Sequence, residues 1–104
     1  MIKRYVVLLS NSTKEANDKF RSYVKEHGLK WWHWFHDSWL LIDDNEKTSS
    51  EKIRDELNNI YGPDIYNLVI EIIEHGTWHG FGPKEEKKNM FTWLHDYWDE
   101  ENQT

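Results

Sequence analysis

The stretch WWHWFHDSWLLI, residues 31–42, decides how this chain folds. It sets Trp31, Trp32, Trp34 and Trp39 beside Phe35, His33 and His36. Successive strand residues point to opposite sides of a sheet. A strand over 29–36 therefore places Trp31, His33 and Phe35 on one face and Trp32, Trp34 and His36 on the other. Both faces are aromatic, so helices on a single side leave half of these rings uncovered. A turn at Asp37-Ser38 returns the chain into a second strand over 39–42, although this dipeptide is a weak hairpin signal.

Outward from that hairpin the pattern is regular. Residues 2–9 read as a strand, and Val6-Val7-Leu8-Leu9 is apolar on both faces, as in a central strand. Ser12-x-x-Glu15 fits a capping box, and Ala16, Phe20, Tyr23, Val24 and His27 then recur at helical spacing up to Gly28. Thr48-x-x-Glu51 is a second such box, followed by Ile53, Leu57, Ile60 and Tyr61 and closed by Gly62-Pro63. Residues 68–73 read as a last strand, apolar except at Glu71. The resulting order, β-α-β-β-α-β, predicts a ferredoxin-like α+β sandwich with spatial strand order 4-1-3-2. The aromatic strand then lies at an edge.

After a glycine-rich loop, GTWHGFGP at 76–83, Pro83 suits a first helical position. Met90, Phe91, Leu94, Tyr97 and Trp98 form an apolar stripe with Trp93 at its margin. Residues 1–82 thus form the ferredoxin-like unit, and 83–104 add an amphipathic helix with an acidic tail expected to fray.

Composition bounds the function. The 104 residues suffice for one core, and the aromatic share of 15% opposes disorder despite 31% charged residues. A net charge of −6 gives no electrostatic footprint for a nucleic-acid backbone. Cysteine is absent, which removes disulfides and thiolate metal sites. The opening apolar run is too short for a signal core or a membrane span, so the chain reads as a soluble cytoplasmic protein.

No catalytic set emerges. His33 and His36 are an odd number apart and diverge in a strand. His75-x-x-x-His79 has helical ligand spacing, but Gly76 and Gly80 oppose a helix there. The glycine loop is interrupted by Trp78 and Phe81, which suit closing the end of a core better than cradling phosphate. Ser38 beside His36 and Asp37 has triad composition, yet neighbours in one turn do not converge on a point. No metal and no cofactor are expected.

Trp31-Trp32-His33, SWLLIDD at 38–44, TSSEKIRDEL at 48–57, LVIEI at 68–72 and Trp78-x-Gly80-Phe81-Gly82 together resemble a family of small bacterial and phage proteins labelled SinR-like. These are distant relatives of the small ferredoxin-like subunit of CRISPR adaptation complexes. The resemblance implies a ferredoxin-like fold and a homodimer, and no settled activity. Active relatives carry a metal-binding Asp after the first strand, where this chain has Ser10-Asn11. A working metal nuclease is therefore not expected, because Mg²⁺ needs carboxylates.

The aromatic surplus carries the leading expectation. Each large ring buries roughly 150–250 Å², so four or five approach the roughly 800 Å² per partner of a standard interface. The expectation is a non-enzymatic homodimer or higher oligomer, acting on a host protein or defence component. Its surface would use Trp31, Trp32, His33, Trp34, Phe35, Trp39, Trp78 and Phe81, helped by Met90, Phe91, Leu94, Tyr97 and Trp98. The alternative is a small planar, nucleotide-like ligand in a pocket of Trp31, His33, Trp34, Trp39 and Trp78 at a subunit junction. A third is a degenerate nuclease fold.

Overall fold

The computed structural model describes residues 2–73, 78–80, 84 and 89–99. Its elements run β1 (Lys3–Leu9), α1 (Lys14–Glu26), β2 (Lys30–Phe35), β3 (Ser38–Asp43), α2 (Ser50–Tyr61), β4 (Asn67–Ile72) and α3 (Met90–Trp93), which continues as a π-helical turn, Leu94–Trp98. The four strands form one antiparallel sheet in the order β2-β3-β1-β4. The aromatic strand β2 is one edge and β4 the other.

Alternation divides β1 cleanly. Tyr5, Val7 and Leu9 point under α1 and α2, joining buried Phe20, Val24, Leu29, Trp39, Leu41, Ile53 and Leu57 in the main core. Burying each large apolar side chain contributes about 1.5–3 kcal/mol. Phe20 meets Trp39 edge to face at 4.9 Å, so the turn of α1 that carries Phe20 is keyed to the start of β3. Gly28 and Gly62 end the two helices near φ +66° and +84°, backbone that costs glycine no Cβ clash.

Both helices start one residue later than the sequence pattern predicts. Thr13 caps α1 by accepting from the Ala16 amide, and Ser49 caps α2 by accepting from Lys52. The expected caps are drawn inside instead. Ser12 donates to the His36 carbonyl at 2.7 Å and accepts from Asn17 at 3.2 Å. The Thr48 amide donates to the buried Asp43 carboxylate at 2.8 Å. Within α1, Asn17 is buried for that polar contact, while His27, counted in the apolar stripe, follows the helix as its C-cap and is exposed.

A second layer covers the opposite sheet face. Trp32, Ile42, Met90, Leu94 and Trp98 are buried together, flanked by Val6, Trp34, Leu40, Ile72, Trp78, Phe91 and Trp93. The C-terminal helix thus packs on its own sheet. It begins at Met90 with Asn89 as its cap, not near residue 84, and Lys84 pairs with Asn89 in an isolated bridge. Pro83 lies outside the described residues.

Candidate functional site

Two surfaces collect the residues that could carry function: the aromatic hairpin and the sheet face opposite α1 and α2.

In the hairpin, the alternation predicted for β2 holds only to Trp34. The β2–β3 register shifts between Trp32 and Phe35, a bulge that rotates the end of the strand. Phe35 accordingly meets Trp32 edge to face at 4.8 Å, on the face opposite to the one expected for it, and Trp34 lies 5.6 Å from Trp32. His36 turns the other way, and its Nε2 donates to the Ser12 carbonyl at 3.0 Å. Because a carbonyl only accepts, that nitrogen carries the proton. The turn falls at His36-Asp37, one residue before the predicted dipeptide.

On the helix-covered face, His33 stacks on Trp39 with centroids 3.8 Å apart and planes 6° from parallel. Its Nδ1 donates to the Ser38 carbonyl at 2.8 Å. Burial holds its pKa below the ordinary 6.5, outweighing the opposing hydrogen bond to Ser38. Arg21 lies over the Trp39 ring at 5.8 Å, and Lys25 over Trp31 at 5.5 Å. Nearby, Tyr61 donates to Asn17 Oδ1 at 2.5 Å, and burial pushes its phenol up to about 12 against the lowering effect of Trp39. These polar groups close on one another and on backbone carbonyls. They fasten the hairpin to the start of α1.

The residues proposed as a ligand pocket are split by the sheet. Trp31, His33 and Trp39 belong to the α1 side, whereas Trp34 and Trp78 belong to the second layer. None of them lines the grooves beside α2 and β4 or the one on the C-terminal segment. Trp78 Nε1 donates to both Asp99 carboxylate oxygens, at 2.9 and 3.0 Å, which ties it to the end of the C-terminal helix. Phe81 and His75 lie outside the described residues. Among those described, no group of three or more His, Asp or Glu residues could hold a metal, and no helix is long and apolar enough to cross a membrane.

The covering of the second face alters where apolar surface is left over. Met90, Leu94 and Trp98, expected at an interface, are buried against β2 and β3 of the same chain, and only Tyr97 of that stripe is largely exposed. The helix covers the row Lys30, Ile42, Arg4, Ile72 and much of the row Trp32, Leu40, Val6. The next row, Phe35, Ser38, Leu8 and Leu68, is set side by side across all four strands by the pairing register. Phe35 is 47% exposed, Leu8 40%, Leu68 55% and the adjoining Ile70 41%. Sequence reasoning placed the uncovered apolar surface on the indoles of β2 and missed this strip on β1 and β4. The Leu8 and Leu68-x-Ile70 parity was its available signal.

The chain matches no family model, no curated protein and no solved structure.

Proposed function

We propose that this protein is a non-enzymatic, self-associating interaction module on a ferredoxin-like β-α-β-β-α-β sandwich with an added C-terminal cap. The chain order, the antiparallel pairing and the neighbours β2-β3-β1-β4 support that fold reading. One observation carries the functional reading: the strip of Leu8, Phe35, Leu68 and Ile70 stays open although the C-terminal helix already covers the rest of that face. An exposed apolar patch of Leu8, Leu68 and Ile70 beside a sheet edge, with Phe35 set across Ser38 from Leu8, suits a protein–protein contact better than solvent. The simplest occupant is a second copy. The SinR-like resemblance extends the reading to an assembly that engages a host protein or a defence component.

Light scattering on the full chain at micromolar concentration tests it. The expected mass is that of a dimer or larger assembly, falling towards the monomer on dilution. A monomer throughout overturns the reading.

A further inference from the structure

We infer that the outer edge of β4 is the seam, pairing antiparallel about a twofold axis with the same strand of a second copy and centred on Val69. This rests on the self-association proposed above and names the surface, the register and the ion pair that set it.

The two sheet edges are not equivalent. The β2 edge begins with Lys30 and carries the bulge before Phe35, both of which discourage strand addition. The β4 segment, NLVIEI, contains no proline, no lysine and no bulge. Its backbone groups without a partner among the described residues can be assigned. Ser10 donates to the Tyr66 carbonyl, so even-numbered residues of β4 bond inward to β1. The N–H and C=O groups of Asn67, Val69 and Glu71 therefore point outward. Centring the axis on Val69 sets Val69 against Val69 and Asn67 against Glu71, and uses all three outward residues in both chains.

Side chains favour that register on both faces. On the open face it sets Leu68 against Ile70 of the second copy, twice, which joins the two exposed apolar strips into one. On the α2 face, Asn67 and Arg54 together line two grooves, one of which is also lined by Leu68 and Val69. An incoming Glu71 opposite Asn67 arrives beside the Arg54 guanidinium. Among the described residues, Arg54 is held only by its exposed sequence neighbour Asp55, and Glu71 has no ion pair. The contact is thus complementary in charge and repeats by symmetry. Centring on Glu71 instead would oppose two carboxylates.

The absence of cysteine makes a clean probe. Hydrogen-bonded antiparallel partners have Cα atoms about 5.5 Å apart, inside the roughly 4.4–6.8 Å span of a disulfide. Val69→Cys treated with diamide should give a covalent dimer. Tyr66→Cys should not, its two copies being about 20 Å apart at roughly 3.3 Å per residue. Arg54→Glu and Glu71→Arg should each weaken the dimer about tenfold, the effect of two modest ion pairs, and the double reversal should restore it. A wild-type monomer defeats the self-association reading itself. A wild-type dimer with no Val69→Cys crosslink, or with no recovery in the double reversal, overturns this seam alone.

Discussion

Arg4 Nε donates to the Trp98 carbonyl oxygen at 2.6 Å, a buried bond between residues 94 positions apart. The last carbonyls of any helix lack intrahelical partners, and here a cation from β1 supplies one. The same bond fixes the C-terminal segment on the second sheet face. Arg4→Met keeps the stem and removes the donor, leaving that carbonyl buried. The expected loss is about 1.5–3 kcal/mol, the range for a charge-assisted bond. Urea unfolding measures it, and a loss below about 0.5 kcal/mol would mean that the helix is held by packing alone.

Leu94 tests that packing directly. It is buried among Trp32, Ile42, Met90 and Trp98, so Leu94→Ala should cost about 2–4 kcal/mol through lost contact and a residual cavity. A chain ending at residue 83 goes further and uncovers Trp32, Ile42 and Leu40. The mass of that truncation should rise, and its binding of a hydrophobic dye should increase. An unchanged mass and unfolding midpoint would contradict the intrachain cap.

The parts of this fold that were legible in the sequence are those written in local pattern. Phe20 and Val24, or Ile53 and Leu57, repeat at helical spacing, and Gly28 and Gly62 mark the stops. What was not legible depends on distant partners. Ser12-Thr13 and Thr48-Ser49 each offer two adjacent hydroxyl residues, and only the pull of the His36 carbonyl and of Asp43 decides which one caps. The bulge before Phe35 has no glycine to announce it. The candidate surface shifted for a similar reason. The C-terminal stripe was visible, but which strands it would cover depended on the Arg4 bond and on Trp78 joining Asp99.

Leu68 separates association from folding. It is more exposed than any other residue of the open strip, so Leu68→Lys should leave monomer stability within about 0.5 kcal/mol. Light scattering on the variant should show loss of the assembly. Retention of the wild-type mass would remove the strip from the interface.

His33 gives a pH dependence of defined sign. Burial lowers its folded-state pKa below the ordinary 6.5, so between those two values the unfolded chain binds the extra proton. Its contribution is full above about 6.5, declines as pH falls from there to the folded value, and is constant below it. The urea midpoint of the wild type should therefore drop on acidification below about pH 6.5 more than that of His33→Gln. Equal slopes in the two proteins would place the titration elsewhere.

The cap positions make the sharpest contrast between pattern and structure. The pattern assigns α2 to Thr48, whereas Ser49 holds the Lys52 amide at 3.2 Å. Ser49→Ala should cost about 1 kcal/mol, the usual value for a lost N-cap. Thr48→Val keeps both the shape and the backbone N–H that binds Asp43, so its cost should be less than half of that. For α1 the ordering differs. Thr13→Ala removes only the bond to Ala16, at 3.2 Å. Ser12→Ala leaves the Asn17 amide and the His36 carbonyl each short of a buried partner, at about 1–3 kcal/mol. Chemical unfolding of the four variants should rank Ser12 above Thr13 and Ser49 above Thr48. A larger loss at Thr48 than at Ser49 would restore the capping box that the sequence pattern suggests.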